Sequence, residues 1–388
     1  MKIAIVGPAH PYTGGSAQHT TELAHRLSTA GHQVSLQSWR SLYPPRLYPG
    51  QPTVAQPEVP LFPATERTLA WNRPAGWRRL GHRLGRDFDA VLLAVFTSRQ
   101  VPSYLVMSKW ARAGGCRVVA LCHNVLPHES RSFDEPLMRA LLRRCDAVLV
   151  HSPEQAALAA GMASTPVEVA ALPLHWPKLA RPACVAWRPR TPQHRLLFFG
   201  MVRPYKGLDL LIRALAETKP EITLTVAGEI WTSRSDLRRL VSDLQLADRV
   251  TLVDRYICAD EVPAYFGAAD ALVLPYRSAT ASQNSLIALQ FGLPVIASRV
   301  GAITAALEDG VNAILCAPGD VADLARAINQ LYEPGVLERL QLGVRAPDPT
   351  LAWDCYLAAV LRASAAPSAE PGMRGAPPGR AHNDGTLN

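Results

Sequence analysis

Residues 196–215 read LLFFGMVRPYKGLDLLIRAL, and this stretch decides the fold class of the chain. A short apolar run ends at Gly200, and an amphipathic helical pattern begins near Leu208. The loop between them carries Arg203 and Lys206. A strand that turns directly into a helix is the unit from which parallel sheets covered by helices are built. The stretch therefore predicts an α/β domain with two cations in the loop after its strand.

The same alternation continues on both sides of this stretch. Four more strands are predicted after it, in ITLTVAG, RVTLVD, DALVLPY and PVIAS. Five strands are predicted before it, in KIAIVG, HQVSLQSW, DAVLLAVF, CRVVALCHN and DAVLVHS, and AQHTTELAHRLSTAG is predicted to be a helix that stops at Gly31. Two sets of strands, each with its own helices, indicate two Rossmann-like, doubly wound domains.

The proline-rich stretch LPLHWPKLARPACVAWRPRTPQ interrupts the periodicity and marks the joint between the domains. We predict that residues 40–75, rich in proline and aromatic residues, are an irregular insertion near the acceptor side. The predicted units are an N-terminal Rossmann-like domain at 1–180, a linker at 181–193, a C-terminal Rossmann-like domain at 194–345, a helix that packs back towards the N-terminal domain at 346–362, and a disordered tail at 363–388.

Charge is distributed unevenly along the chain. Residues 1–185 hold 20 Lys and Arg against 11 Asp and Glu, and the remainder holds 20 against 21. A basic surface in the first half attracts anionic lipid or acidic substrates, although it is also common as an ordinary solvated face. The arginines are dispersed and accompany no recognised nucleic-acid module, so we predict no nucleic-acid partner.

Targeting signals and cysteine motifs are missing from the sequence. The apolar run at the start, in MKIAIVGPAHP, is too short for a secretory signal. No stretch of the sequence reaches the roughly 20 apolar residues of a membrane span. The seven cysteines show no C-x-x-C spacing, which argues against a zinc site or a disulfide framework. We therefore expect a cytoplasmic protein, peripheral at most to the inner face of a membrane.

The loop with Arg203 and Lys206 is the clearest candidate site. A guanidinium and an ammonium three residues apart suit a diphosphate group, and they would neutralise the charge of a departing nucleoside diphosphate without a metal ion. We therefore predict no metal and no cofactor. A solvated basic loop is the alternative interpretation.

Three further segments are candidate donor-binding sites. Two of them open predicted helices, whose unpaired N–H groups bind phosphate oxygens, although such residues also serve as turns and N-caps. The third ends a strand. The predicted donor-binding residues are Gly14 and Gly15, Gly228 and Glu229, and Ser282, Gln283, Asn284 and Ser285. The Gly14–Gly15 turn is not the G-x-G-x-x-G fingerprint, so a dinucleotide-dependent oxidoreductase is rejected.

Taken in order, these motifs resemble retaining glycosyltransferases of family 4, also called glycosyl transferases group 1. The resemblance rests on the Gly-Gly turn, the histidine in ALCHNVLPHES, G-x-x-R-P-Y-K-G, A-G-E and FGLPVIAS, and it covers about residues 1–362. It implies a GT-B fold, with a nucleotide-sugar donor held mainly by the C-terminal domain and an acceptor bound by the N-terminal one.

The resemblance also assigns roles by position. Gly15 is expected to donate its backbone N–H to the donor phosphate, and Arg203 and Lys206 are expected to bind the diphosphate. Glu229 is expected near the base or the adjoining loop. His123 matches the histidine beside the transferred sugar, and a histidine that simply caps a strand is the alternative.

Two positions depart from the family pattern. The family usually has a Glu pair, seven residues apart, before the G-x-P-V segment, and here those places hold Ala279 and Ile287. Neither side chain accepts a hydrogen bond. The sequence Ser-Ala-Thr at 278–280 resembles that of a subgroup of the family that lacks the Glu pair, so we predict a variant site.

A motif of a different class is rejected. Asp87 and Asp89 match the D-x-D pattern by which other glycosyltransferases bind a divalent metal. They precede the strand DAVLLAVF, whereas ligands of parallel sheets gather at the carboxyl ends of strands. We predict that both aspartates are structural.

The functional prediction is transfer of a hexose from a nucleoside-diphosphate sugar to an acceptor hydroxyl with retention of configuration. The unknown acceptor is a glycan, a lipid-linked molecule or a small molecule. No carboxylate pair is available for a glycosyl-enzyme intermediate of the glycosidase kind. The alternative is a catalytically impaired nucleotide-binding or glycan-binding protein on the same fold.

Overall fold

The computed structural model of the protein describes residues 1–42, 52–54, 57, 59–175, 191–280 and 282–365. Most of the predicted linker and most of the predicted tail lie outside these residues. The same is true of Cys184 and of part of the predicted insertion.

The first sheet has seven parallel strands in the order β3-β2-β1-β4-β5-β6-β7. The strands are β1 (Lys2–Val6), β2 (Gln33–Ser41), β3 (Thr65–Ala70), β4 (Ala90–Val95), β5 (Arg117–Cys122), β6 (Ala147–Val150) and β7 (Val167–Val169). Helices connect most of them: α1 (Gly15–Thr29), α2 (Pro74–Asp87), α3 (Val101–Ala113), α4 (Asp134–Leu142) and α5 (Pro153–Met162).

The second sheet has six parallel strands in the order β10-β9-β8-β11-β12-β13. The strands are β8 (Arg195–Phe199), β9 (Thr223–Ala227), β10 (Val250–Val253), β11 (Ala271–Leu274), β12 (Val295–Ser298) and β13 (Ala313–Cys316). The helices are α6 (Leu208–Ala216), α7 (Arg234–Asp243), α8 (Val262–Ala268), α9 (Gln283–Gln290), α10 (Val321–Leu331), α11 (Val336–Gly343) and α12 (Pro349–Ser364).

Central strands such as β4, β6 and β11 are buried at every residue, as expected of parallel strands covered on both faces. In each sheet the strand order reverses beside the first strand, β1 in one and β8 in the other. Ligands of doubly wound sheets bind in the crevice at that reversal, outside the carboxyl ends of the strands. The fold therefore directs attention to the loops that follow β1 and β8.

Helix α12 returns the chain to the first sheet. It contacts β4 to β7 and α1, and it buries Trp353 and Tyr356 completely. The indole Nε1 of Trp353 donates to the carbonyl of Leu174, 2.9 Å away. The helix extends two residues past the predicted end at 362, because apolar Ala363 and the Ser364 hydroxyl are still buried against the sheet.

Three short strands, β3, β7 and β13, were not predicted. The prediction of an irregular insertion at 40–75 is wrong for residues 65–70, which form β3 at the edge of the first sheet. That segment, TERTLA, has three half-buried polar residues at its start, so it lacks the apolar run of a central strand. The segment forms a strand because it pairs with β2, and its own sequence does not indicate a strand.

None of the helices in the described part of the chain combines the length and the apolar character needed to cross a bilayer.

Candidate functional site

The first predicted anion site lies where β1 turns into α1. Gly14 has a φ of 103°, a left-handed conformation that favours glycine, and directly precedes the helix. A Cβ at Gly14 or Gly15 would meet no atom within 4 Å, so the space in front of the helix is open. The first turn of α1 has no acidic residue to neutralise the positive end of the helix dipole. This geometry suits an anion at the N–H groups of the turn.

Lys206 lies at the second predicted anion site, in a 3-10 turn after β8. Its Nζ lies 3.6 Å from the point where a Cβ on Gly200 would lie, and Nδ2 of Asn284 lies 3.4 Å from the same point. Burial lowers the pKa of Lys206. Among the described residues no carboxylate pairs with this ammonium. A half-buried cation without a carboxylate partner favours the binding of an anion.

The loop around Lys206 is fixed by close packing of backbones. Gly207 has a φ of 68°, and a Cβ there would lie 2.1 Å from the carbonyl oxygen of Pro275. The N–H of Arg277 donates to the carbonyl of Tyr205, 2.7 Å away. Only glycine permits this approach, so the loop is held against the end of β11.

Arg203 reaches across the cleft between the two sheets. Its Nη2 donates to Oε2 of Glu129, 2.8 Å away, in the loop after β5. Its guanidinium also lies 5.5 Å from the ring centroid of Trp231. Arg203, which is predicted to bind the diphosphate, is therefore paired with a carboxylate of the other domain. A diphosphate that binds Arg203 must replace Glu129 or share the guanidinium with it.

The polar stretch before α9 is only partly directed at a ligand. Ser282 caps the helix by accepting from the N–H of Asn284, and Nδ2 of Asn284 donates to the carbonyl of Phe199, 2.8 Å away. The hydroxyl of Ser285 donates to the carbonyl of Ser282. The first turn of α9 has no acidic residue. The predicted site at this end therefore consists of backbone N–H groups and the helix dipole more than of side chains.

The side chain of Gln283 is hydrogen-bonded to the first domain. Its side-chain oxygen accepts from the N–H of His175, 3.1 Å away, and its Nε2 donates to the carbonyl of Pro173, 3.0 Å away. The side chain thus joins α9 to the segment that leaves the first sheet, and binding of the nucleotide sugar by Gln283 stays a prediction.

Gly228 and Glu229 end β9 beside the loop of Lys206. Gly228 has a φ of 149°, and a Cβ there would lie 2.2 Å from the carbonyl oxygen of Gly200. Oε2 of Glu229 accepts from the indole Nε1 of Trp231, 3.2 Å away. Gly228 is therefore required for the contact of two backbones, and Glu229 remains the predicted ligand of this pair.

His123 belongs to a cluster of four histidines, which we call the histidine cluster: His19 of α1, His123, His151 and His175. His19, His151 and His175 are buried, and His123 is half-buried. Their ring centroids lie 4.7 Å apart for His19 and His175, 4.8 Å for His19 and His123, and 5.2 Å for His123 and His151. Six ring nitrogens of the cluster are buried without a hydrogen-bond partner, namely Nδ1 and Nε2 of His19 and of His175, and Nε2 of His123 and of His151. Sequence reasoning found only one of the four residues, because the others are brought to it by different elements.

The cluster is held in the neutral state. Burial keeps the pKa of His19 and of His123 well below the ordinary value, and the neighbouring imidazoles lower both further. Burial lowers the pKa of His151 to about 4 and that of His175 to about 3. A proton on any one ring would place an unpaired charge among neutral groups in a low-dielectric interior.

Acidification is expected to destabilise the protein through this cluster. Unfolded histidine titrates near pH 6.5, so between about pH 6.5 and about pH 4 the unfolded chain binds more protons than the folded one. The free energy of unfolding therefore falls as the pH falls through this window. Urea denaturation at about pH 7.5 and about pH 5 measures the drop.

The control for this prediction is a histidine outside the cluster. His175→Leu should reduce the difference in unfolding free energy between the two pH values, whereas replacing the exposed His82 with Gln should not. An equal drop in wild type and His175→Leu would show that groups elsewhere cause the acid sensitivity.

A cavity of about 760 Å³ adjoins the cation loop. Its walls include Arg203, Tyr205, His128 and Glu129. The His128 ring stacks on Tyr205, with centroids 4.3 Å apart, and its Nδ1 lies 3.4 Å from the hydroxyl oxygen of Ser278. His128 and Glu129 were not predicted as site residues. The signal for them is their place in a polar loop directly after a central strand, as in HNVLPHES.

The two positions that depart from the family pattern differ in environment. Ile287 is 2% exposed and packs in the core of the second domain. Ala279 is half-buried, and a Cβ at Gly301 would lie 1.9 Å from its carbonyl oxygen. Neither residue offers a side-chain acceptor to a ligand.

Asp87 and Asp89 precede β4, at the N-terminal ends of the strands, whereas His123 follows the C-terminal end of β5. Oδ2 of Asp89 accepts from the N–H of Lys2, 2.7 Å away, and Asp87 pairs with Arg86. Their position at the N-terminal end of the strand is as predicted, and their hydrogen bonds connect local elements.

One group of metal-ligand type occurs in the part of the chain that the structure describes. It consists of Cys258, Asp260 and Glu261, whose ligand atoms lie within 4.8 Å of one another. Arg255 pairs with Glu261 and holds the pKa of its carboxyl at about 2. Because this arginine already neutralises the carboxylate, we assign no metal to the group.

Two family models match the chain. The model described as Glycosyltransferase Family 4 matches residues 13–173, and the model described as Glycosyl transferases group 1 matches residues 193–334. The D-inositol 3-phosphate glycosyltransferase of Acidothermus cellulolyticus is 33% identical over 177 residues, which are 43% of this chain and 39% of that protein. The glycogen synthase of Mycobacterium tuberculosis is 33% identical over 171 residues, 42% and 39% of the two chains. The matched segments thus span about two fifths of these relatives.

Solved structures share the whole architecture. Sucrose-phosphate synthase from Thermosynechococcus elongatus superposes with a TM-score of 0.71 at 20% identity, covering 93% of this chain and 97% of that one. HepE of Anabaena in complex with UDP superposes with a TM-score of 0.68 at 17% identity, covering 93% and 98%. These similarities confirm the predicted GT-B fold.

Proposed function

Because this chain belongs to the family 4 glycosyltransferases, the glycosyl transferases of group 1, we propose that it transfers a hexose from a nucleoside-diphosphate sugar to an acceptor hydroxyl. The observation that carries the proposal is the convergence of Lys206, Arg203 and the N-termini of α1 and α9 on one cleft. Each of these groups favours an anion, and a diphosphate is the anion that two cations and two helix ends suit.

The contacts between the domains bring these groups to the same cleft. His19 lies one turn after Gly15 in α1 and touches His123 at the end of β5. The next residue, Asn124, accepts a hydrogen bond from the hydroxyl of Thr280, in the stretch that leads into α9. The N-terminal ends of α1 and α9 are therefore joined through two residues at the carboxyl end of β5.

In the proposed reaction, Lys206 and Arg203 stabilise the negative charge that grows on the leaving diphosphate. The C–O bond between the sugar and the diphosphate breaks, the acceptor oxygen bonds to the same carbon, and its proton passes to an oxygen of the departing diphosphate. Glu129, the carboxylate beside Arg203 in the cavity wall, is paired with that arginine, so we assign it no role as the nucleophile of a covalent sugar intermediate. We therefore propose retention by departure and attack on the same face of the sugar, with His123 beside the transferred sugar.

The donor is proposed from the site and from related proteins. HepE was solved with UDP and with UDP-glucose, which supports a uridine nucleotide as the first donor to test. The acceptor is proposed to bind on the N-terminal domain and stays a glycan, a lipid-linked molecule or a small molecule.

A thermal-shift panel of nucleoside diphosphates and nucleotide sugars tests the proposal. A nucleotide at a hundred times its dissociation constant stabilises the folded protein by about 2.7 kcal/mol, so a cognate donor should raise the melting temperature clearly. Release of nucleoside diphosphate from that donor then measures turnover. No stabilisation by any member of the panel would overturn the proposed function.

A second function is favoured by the environment of Ile287. This side chain is buried in the core and offers no acceptor to a ribose, so the alternative function is binding of a nucleotide or glycan without turnover. Stabilisation by a nucleotide sugar without any release of nucleoside diphosphate, with acceptor candidates present, would favour this alternative.

Activity is expected to survive metal removal. Lys206 and Arg203 supply the positive charge at the diphosphate, so no divalent ion is needed there. Turnover measured after EDTA treatment should equal turnover with added Mg²⁺ or Mn²⁺. Loss of turnover that only a divalent ion restores would contradict the role of the two cations.

The basic surface of the first domain is proposed to contact anionic lipid at the inner face of a membrane. Helix α2 exposes Arg78, Arg79 and Arg86, and Arg73 is exposed at its start. Trp71 is 42% exposed beside this helix. Cations with a neighbouring exposed tryptophan are the pattern of a surface that rests on a bilayer.

Charge removal on α2 is expected to weaken this binding. Each cation near an anionic surface contributes about 1 kcal/mol, so the double variant Arg73→Ala, Arg79→Ala should partition about thirtyfold more weakly. Sedimentation with vesicles of phosphatidylglycerol and phosphatidylcholine measures this. Arg238→Ala, at an exposed site on α7 of the other domain, is the control. Equal binding of both variants would remove α2 from the proposed surface.

A further inference from the structure

His123 and His151 occupy equivalent positions on neighbouring strands. The parallel pairing of β5 and β6 places Leu121 opposite Leu149, and the same register brings His123 opposite His151 one residue past the strand ends. Side chains at matched positions of parallel strands project to the same side of the sheet. Accordingly, the two imidazole centroids lie 5.2 Å apart.

The tautomer of His151 is fixed by a backbone carbonyl. Nδ1 of His151 lies 3.2 Å from the carbonyl oxygen of Ala170, which can only accept a hydrogen bond. Ala170 is itself held, because its N–H donates to the carbonyl of Val150, 2.9 Å away. Neutral His151 therefore carries its proton on Nδ1, and its Nε2 is left as an acceptor.

The buried edge of His123 carries the complementary group. Nε2 of His123 and Nε2 of His151 are both buried without a hydrogen-bond partner. The structure records no hydrogen bond between them, but a buried polar atom that stays unpaired is costly, and a small rotation of the rings that lets these two nitrogens share one proton satisfies both. In such a pair the donor is Nε2–H of His123, since Nε2 of His151 has no proton. Nδ1 of His123 then has no proton, and it is not among the buried nitrogens of this half-buried ring.

We propose that His151 is a positioning residue for His123: fixed by the Ala170 carbonyl, it accepts from Nε2–H of His123, so that Nδ1 of His123 faces the cleft as a hydrogen-bond acceptor. The ligand group that this acceptor selects is a hydroxyl, of the donor sugar or of the acceptor. That last step rests on the proposed function, whereas the tautomers of the two rings do not.

His19 is the competing partner, because its ring also touches His123 and both its nitrogens are buried without a partner. No carbonyl or other group in the described residues fixes the tautomer of His19. The register of β5 and β6 and the Ala170 carbonyl together favour His151.

The tautomers are tested on the ligand-free protein by long-range ¹H–¹⁵N correlation with ¹⁵N-labelled histidine at neutral pH, with signals assigned by single His→Gln variants. His151 should be protonated on Nδ1 alone, and His123 on Nε2 alone. Protonation of His123 on Nδ1, or a stoichiometric metal ion on the cluster measured in the purified protein, would overturn the inference.

Variants separate positioning from simple packing. His151→Leu removes the acceptor, so the single tautomer of His123 should be lost and kcat should fall roughly ten- to a hundredfold, with nucleoside diphosphate affinity unchanged. His151→Gln keeps an acceptor oxygen and should retain the Nε2–H form of His123. His175→Leu, in the same cluster but not adjacent on the sheet, is the control and should leave that form unchanged.

Two outcomes of the variant series contradict the inference. One is wild-type tautomers of His123 in His151→Leu, and the other is their loss in His19→Leu with retention in His151→Leu. If the tautomers are as expected but no nucleotide sugar is consumed, the proposed function fails while the link between His151 and His123 stands.

Discussion

Replacing Lys206 with alanine is expected to weaken the binding of nucleoside diphosphate by about ten- to a hundredfold. Charge-assisted hydrogen bonds contribute about 1.5–3 kcal/mol each, and Lys206 is a half-buried cation with no carboxylate partner among the described residues. Calorimetric titration with the nucleoside diphosphate identified in the thermal-shift panel measures the change. Affinity for the corresponding nucleoside should barely change, because a nucleoside has no phosphate for Lys206 to contact.

The matching substitution Arg203→Ala is expected to have a smaller effect, near tenfold, because Arg203 must give up Glu129 before it binds a diphosphate. The side chain of Arg203 is also 32% exposed, so water screens its charge. Both residues act on one group, and the double variant should lose less than the two single losses combined.

The control is Lys219→Ala. Lys219 is an exposed cation that precedes β9, so it lies at the N-terminal ends of the strands, away from the loop after β8. It should bind nucleoside diphosphate like wild type. Wild-type affinity in the double variant Arg203→Ala, Lys206→Ala would show that the loop after β8 does not hold a diphosphate, and only the fold and family would remain.

The second large effect is expected from His123→Ala, in turnover and not in affinity. His123 belongs to the N-terminal domain, whereas we propose that the diphosphate is held mainly by the loop after β8 and by α9. Loss of a group that orients a reacting sugar costs on the order of a hundredfold in kcat. Nucleoside diphosphate affinity should stay within about twofold of wild type.

Comparison of kcat with the dissociation constant of nucleoside diphosphate decides this prediction. The conservative variant His123→Asn, which keeps a polar side chain, should recover part of the lost turnover. A parallel collapse of both quantities in His123→Ala would mean that His123 supports the fold of the cluster and has no separate role beside the sugar. Urea denaturation of the same variant measures any loss of stability directly.

The predicted strands of both domains are confirmed, and most of them are compact apolar runs. KIAIV and RLLFF each bury four consecutive residues, as expected of a strand that is covered on both faces. The family motifs indicated the second domain equally well. The edge strands β3 and β7 were not found, because three to six residues of mixed polarity carry no periodic signal. The strand β13, AILC, is an apolar run of four residues, and so short a run does not by itself distinguish a strand from a buried helix segment.

The sequence also determined which residues are candidates for the chemistry, since Arg203, Lys206 and His123 follow strands of recognisable motif. Their partners were decided by the tertiary structure. Glu129 is 74 residues from Arg203 in the chain and forms its ion pair. Such pairings depend on how two sheets face each other, and local sequence does not contain that relation.

The histidine cluster shows the same division most clearly. The sequence by itself determined the two Rossmann-like domains and the family, because periodicity and motif spacing are local properties of the chain. Only the tertiary structure decided that His19, His123, His151 and His175 share one buried site. Four separate segments supply these residues, and parallel strands bring together positions far apart in the chain. A lone histidine in a sequence has no visible partner, whereas packing fixes both its neighbours and its neutral state.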